Sequence, residues 1–152
     1  MSERAPSLTL LETGFPFEAV AELVMADLRR ADPAYQAHRW WARRPPALLR
    51  SVLLAATLAP RQDAELWRRY RSREAWLAGV CVADPFMGGG TTLLEAARLG
   101  ADLIGADIDP VAIAIGEHQL NPPAVEDVQA AGARLLADLR ERLGHLWPNE
   151  DP

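Results

Sequence analysis

Gly79-Val80-Cys81-Val82-Ala83-Asp84-Pro85-Phe86-Met87-Gly88-Gly89-Gly90-Thr91-Thr92-Leu93-Leu94-Glu95-Ala96-Ala97-Arg98-Leu99-Gly100-Ala101-Asp102-Leu103-Ile104-Gly105-Ala106-Asp107-Ile108-Asp109-Pro110 is the stretch that decides the fold. Val80 to Ala83 is a short apolar run, as in a buried parallel strand. Asp84-Pro85 ends it, because proline cannot donate to a strand ladder. Gly88, Gly89 and Gly90 let the backbone turn tightly and approach a ligand. Thr91 to Leu99 has helical spacing, and Gly100 is a natural stop. Leu103 to Ala106 reads as a second strand, ended by Asp107. The order strand, glycine loop, helix, strand, acid is that of a mononucleotide-binding half of a doubly wound α/β sheet.

The spacing narrows the ligand. A P-loop needs Gly-x-x-x-x-Gly-Lys-Ser/Thr, and the chain contains no lysine. Three consecutive glycines do not make the Gly-x-Gly-x-x-Gly loop of pyrophosphate sites. What remains is an acid at each strand tip, Asp84 and Asp107. A carboxylate at the second tip suits two ribose hydroxyls, since it accepts two hydrogen bonds at once. A carboxylate at the first tip suits a cationic or amine-bearing end better than a phosphate. S-adenosyl-L-methionine has a ribose, a charged amino-acid end and no phosphate.

Asp84-Pro85-Phe86-Met87-Gly88-Gly89-Gly90-Thr91-Thr92 resembles motif I of the amino-group (N6-adenine/N4-cytosine) DNA methyltransferases, usually Asp-Pro-Phe-x-Gly-Ser-Gly-Thr-Thr. Gly89 stands where the motif has serine. Gly105-Ala106-Asp107-Ile108-Asp109-Pro110 resembles their motif II, with Asp107 as the ribose acid. Upstream, His38-Arg39-Trp40-Trp41-Ala42-Arg43-Arg44-Pro45-Pro46 resembles motif X. It is still more similar to the Trp-Trp-Ala-Arg-Arg-Pro signature of large adenine-specific DNA methylases. The resemblance runs from about Phe15 to Pro148 and covers only the front portion of the family's domain. It implies a partial Rossmann-like class I methyltransferase fold with an incomplete sheet. It also implies cofactor contacts from Asp84, Pro85, Phe86, Met87, Gly88, Gly89, Gly90, Thr91, Thr92, Asp107 and Ile108, the last packing on adenine. Motif X adds His38, Trp40, Ala42 and Arg43. Two roles are open for that loop: it contacts the cofactor or the target strand, or its tryptophans staple it to the core, with Trp41 the better core residue.

The rest of the chain divides around this block. Residues 1–14 read as an irregular N-terminus, 15–78 as a helical region containing the motif X-like loop, 79–148 as the cofactor-binding β-α-β-α portion and 149–152 as a tail. Helices are expected over Glu18–Arg30, Ala47–Leu58, 61–78, a segment ending near Leu120, and Val125–Leu143. Asp109 is the expected N-cap of the helix that starts with Pro110.

Asn121-Pro122-Pro123-Ala124 imitates the catalytic Asp/Asn-Pro-Pro-aromatic motif of the amino-methylating enzymes. In that motif the aromatic stacks on the flipped base. Here Ala124 has no stacking face, and no strand separates the tetrapeptide from Asp107. It reads as a helix stop and restart, so no catalytic residue is expected in this chain.

Composition sets the remaining bounds. The 152 residues are 49% hydrophobic, enough for one domain with a core. No apolar run of membrane-spanning length and no secretory h-region are present, which implies a cytoplasmic protein without membrane contact. Cys81, inside the first strand, reads as a small buried apolar residue, and one cysteine with three scattered histidines makes no metal site. The net charge of −5 conceals an asymmetry: residues 29–73 hold eleven arginines against three acids, net +8. A basic, aromatic-rich segment is compatible with DNA as a partner, and equally with solvated helix faces. Because only two strands can be found, a second polypeptide carrying the catalytic half is expected, or the chain is a truncated fragment. Two alternatives stand beside this reading: a fragment of an RNA methyltransferase, since such enzymes carry similar loops, and, as a different class, a degenerate, non-catalytic half-domain that regulates another enzyme.

Overall fold

A computed structural model describes residues 8–29, 32–35 and 38–146. The elements in chain order are α1 (Leu10–Gly14), α2 (Phe17–Asp27), a 3-10 turn at Pro33–Tyr35, α3 (Pro46–Ala55), α4 (Asp63–Arg71), β1 (Cys81–Asp84), α5 (Thr91–Arg98), β2 (Asp102–Gly105), α6 (Pro110–Leu120), α7 (Val125–Leu143) and a 3-10 turn at Gly144–Leu146. By their contacts they form two compact units, 1–120 and 121–152. No helix among the described residues is long and apolar enough to cross a membrane.

The first unit is α/β. β1 and β2 pair in parallel, with Cys81 opposite Asp102 and Asp84 opposite Gly105. Each strand begins and ends within a residue of the span expected from the sequence. Helix α5 connects them and packs on one face of the pair. The space for that packing comes from Gly105, where a Cβ would meet the side chains of Leu93 and Met87. The opposite face carries Cys81, Ala83, Asp102 and Ile104, all exposed, with Ile104 60% accessible. Cys81 is therefore not the buried residue expected from its apolar neighbours. A parallel strand is apolar throughout because both faces are normally covered, and here one face is bare.

The core lies among α1, α2, α3, α4 and the start of β1. Leu10, Phe15, Val20, Leu54, Ala55, Leu58, Leu66, Leu77 and Leu99 form one buried cluster. Each fully buried leucine contributes roughly 1.5–3 kcal/mol of transfer free energy. Leu10 corrects the expectation of an irregular N-terminal segment. Its side chain is wholly buried, and its N–H donates to the Leu58 carbonyl at 2.8 Å. The Glu12 carboxylate accepts both the Thr9 N–H and the Thr9 hydroxyl at 2.8 Å, fixing the first turn of α1. Residues 1–7 lie outside the described residues, as does the 149–152 tail.

Two other helices differ from expectation. The helix expected over 61–78 ends at Arg71, where Ser72 is extended and its N–H returns to the Arg69 carbonyl. In α2 the expected apolar stripe buries only Val20, and Leu28 at its end is 72% exposed. Helix α3 begins as Pro45-Pro46 requires, with Pro46 in its first turn. Its orphan N–H at Ala47 is capped from another helix, by the Asp27 carboxylate at 2.8 Å.

The second unit is dominated by α7, whose bounds are those expected. None of its residues is buried, and Val128, Leu135, Leu136 and Leu139 lie exposed along it.

Candidate functional site

The tips of β1 and β2 and the loop between β1 and α5 border a cavity of about 420 Å³. Its lining comprises Asp84, Phe86, Met87, Gly88, Gly89, Thr91, Thr92 and Asp107, together with Trp40, Ala42, Arg43, Arg44 and Leu49. Residues scattered over almost seventy positions of sequence thus converge on one space, whose volume suits a nucleoside-sized ligand.

The loop is built by hydrogen bonds that the strand tips provide. Met87 N–H donates to the Ala106 carbonyl at 3.1 Å and Gly90 N–H to the Met87 carbonyl at 2.8 Å. Gly88 and Gly90 have φ of 49° and 70°, the left-handed region where other residues are strained. The Asp84 carboxylate accepts the Phe86 N–H at 3.1 Å. Asp107 bridges the two tips: one oxygen accepts the Gly88 N–H at 2.8 Å and the other accepts the Asp109 N–H at 2.9 Å. These backbone donors, first Asp109 and then Gly88, hold the Asp107 carboxyl below its ordinary range. A carboxylate has about four lone-pair positions, so Asp107 keeps acceptor capacity for a ligand after serving both amides. Asp109 in turn caps α6 by accepting the Val111 N–H at 2.8 Å, as the sequence indicated.

The loop of residues 38–44 forms the opposing wall. Trp40 lies along the glycine loop, and Arg43 donates to the Gly89 carbonyl at 3.2 Å. Arg43 also lies 2.7 Å from His38 Nε2, and its guanidinium sits 5.1 Å over the Tyr35 ring. Burial, and then the charge of Arg43, lower the His38 pKa, so the neutral ring accepts that bond. His38 therefore stands behind Arg43 and does not line the cavity. Trp41 is fully exposed, which corrects its assignment as the core member of the tryptophan pair. It is Trp40 that packs. Of the other anticipated residues, Pro85 and Gly90 belong to the loop without lining the cavity, and Ile108 stands fully exposed beside Asp107.

Sequence reading missed the frame behind this wall. Tyr35 donates its hydroxyl to Glu95 at 2.7 Å. Glu95 is 3% exposed and is met by Arg98 at 2.8 Å and Arg50 at 3.5 Å, while Arg98 also pairs with Asp32 at 2.9 Å. Burial foremost, and then the Glu95 charge, push the Tyr35 hydroxyl far upward, so it remains a donor. Gln119 of α6 donates to the Ala34 carbonyl at 3.0 Å, and its Oε1 would lie 3.1 Å from a Cβ at Gly90. Glu95 reads in sequence as one more polar helix position, and only the crossing of α3 over α5 reveals it as a buried anion. Arg44 had a sequence signal as part of the Trp-Trp-Ala-Arg-Arg-Pro segment, and Leu49 follows it by four residues.

A family model described as DNA methylase matches residues 25–118. The Type II methyltransferase M.MjaII of Methanocaldococcus jannaschii is 32% identical over 72 residues, covering 47% of this chain and 14% of that protein. The chain thus spans a small part of the length of this relative. No solved structure matches. The family match covers more than half of the chain and includes both strand tips, the glycine loop and the 38–44 loop, and the chain belongs to the DNA methylase family of amino-group methyltransferases.

Proposed function

We propose that this chain is the S-adenosyl-L-methionine-binding portion of a DNA methyltransferase that acts on an exocyclic amino group, with N6 of adenine favoured by the resemblance to adenine-specific methylases. The observation that carries the reading is the convergence of two strand-tip carboxylates, Asp84 and Asp107, and the glycine loop on one cavity of about 420 Å³. When bound, the cofactor supplies a sulfonium methyl group. The protein's part is to bind, orient and shield it. Asp107 accepts the ribose hydroxyls, Asp84 and the Gly88–Gly90 backbone face the methionine end, and exposed Ile108 and Phe86 offer apolar surface to the adenine.

The methyl acceptor's machinery is assigned to a second polypeptide, or the chain is a truncated fragment. Support comes from Asn121-Pro122-Pro123-Ala124, which joins α6 to α7 and has no aromatic side chain. It comes also from the bare sheet face, which a larger sheet and its helices would cover. DNA contact is proposed for the assembled enzyme through exposed arginines such as Arg39, Arg44, Arg71 and Arg73.

Calorimetric titration of the chain with S-adenosylhomocysteine tests the reading, with Asp107→Ala as the control. The wild-type chain is expected to bind, and the variant to bind at least about tenfold more weakly. No heat from the wild-type chain would remove the cofactor role, and equal affinities would refute the ribose assignment alone.

A further inference from the structure

We propose that Trp40 and Gly89 are a matched pair that positions the glycine loop for its ligand. The inference rests on the cofactor reading of the cavity and names the residue that tunes it. Gly88 and Gly90 are glycine for a conformational reason, their positive φ. Gly89 is not in that region, so its backbone accepts any residue. Its constraint is steric. A Cβ at Gly89 would lie 2.9 Å from both Cβ and Cγ of Trp40 and 3.2 Å from Cδ1. The Trp40 Cβ is fixed to its own backbone, so rotating the side chain cannot relieve that contact. The indole then continues along the loop, with Nε1 2.8 Å from a Cβ at Gly88.

A polar contact closes the same junction. Arg43 donates to the carbonyl of Gly89, three residues after Trp40 has covered its α-carbon. The 38–44 loop therefore grips Gly89 on two sides. Gly88, held next to it, presents its N–H to Asp107. Removing the indole takes away the packing along Gly88 and Gly89, and adding a side chain at Gly89 drives the two loops apart. Trp40 is in this sense a positioning residue. It also accounts for the glycine that replaces the serine usual in the motif: with Trp40 in place, serine has no room.

The test is a cycle of Gly89→Ser, Trp40→Ala and the double variant, each titrated with S-adenosylhomocysteine and melted thermally. Gly89→Ser is expected to weaken binding about tenfold or more, and Trp40→Ala by a few-fold, because contacting residues do not act independently. The double variant is expected to bind better than Gly89→Ser alone, since its serine has room once the indole is gone. Melting losses are likewise expected to be less than additive. A wild-type chain that binds while both single variants match it, or a double variant as weak as the product of the singles, would overturn the pairing and leave the cofactor reading intact. A wild-type chain that fails to bind would overturn that reading and the ligand role of Trp40. Strictly additive melting losses would then overturn the pairing itself.

Discussion

The Asp107 carboxylate ties the tip of β2 to the glycine loop through the Gly88 N–H at 2.8 Å, so the residue assigned to the ribose also shapes the loop. The two roles separate experimentally. If Asp107 holds the ribose, Asp107→Ala weakens S-adenosylhomocysteine about tenfold or more, and this penalty shrinks when the ligand lacks its ribose 2′-hydroxyl. An unchanged penalty with the deoxy ligand would assign the loss to the loop alone.

The same carboxylate sets a pH dependence. Its backbone donors hold its pKa below the ordinary 3.8. A group depressed on folding contributes stability above its unfolded pKa and loses it as pH falls through the folded value. In the folded chain the carboxylate stays ionised until pH drops below 3.8, so ligand affinity is expected to be flat from about pH 8 to about pH 4 with respect to this group and to fall only below that. Titrations across that range check it, and a decline centred near neutrality would point to another group.

Glu95 anchors the frame that supports the 38–44 loop. Replacing it by alanine leaves Arg50, 13% exposed, without its counter-charge and Tyr35 without its acceptor. Breaking a buried pair from one side costs about 3–5 kcal/mol, and the 37% exposure of Arg98 places the expected loss toward the low end. Glu95→Gln, which keeps an acceptor for Tyr35, is expected to lose less. Denaturant unfolding of both variants measures this, and equal stability of Glu95→Ala and wild type would show the network to be incidental.

Two glycines predict opposite outcomes. Gly100, after α5, has φ of 82°, and a Cβ there would lie 2.5 Å from Ala75 Cβ and 3.1 Å from its Cα. Left-handed strain costs about 1–2 kcal/mol and overpacking about 1–3 kcal/mol, so Gly100→Ala should lower the melting temperature markedly. Gly132 lies within α7 with nothing within 4 Å of a Cβ. Gly132→Ala should raise the helicity of α7 by up to about 1 kcal/mol of propensity, read by circular dichroism at 222 nm. A loss of helicity would show that position 132 has a neighbour.

Much of this was legible because it is local. The strand, loop, helix, strand order follows from apolar runs and glycine punctuation between Val80 and Asp107, and the bounds of α7 from its period alone. The Asp84 and Asp107 tips follow from where the apolar runs stop. What was not legible depends on distant residues. The sequence cannot show that Trp40 rather than Trp41 packs, because the choice is made by the empty α-carbon of Gly89, forty-nine positions downstream. It cannot show that Glu95 is buried, because its counter-charges come from Arg50 on α3 as well as from Arg98. Leu10 looked like part of a frayed end because its partner, the Leu58 carbonyl, lies in the turn after α3, forty-eight positions downstream.

Cys81 reports on the bare face of the sheet. It lies on β1 opposite Asp102, and its neighbours on that face, Ala83 and Ile104, are exposed with it. A thiol in a covered parallel strand would be shielded on both faces. In the isolated native chain the thiol is instead expected to react with a disulfide reagent within about tenfold of the rate in the unfolded chain, since access is one of the factors that govern exchange. A polypeptide that adds strands and a helix layer to this face should suppress labelling in proportion to its occupancy, while Cys81→Ser should leave cofactor affinity unchanged. Complete protection in the native, monomeric chain would mean that the face is already covered and would remove a main support for the catalytic half residing elsewhere.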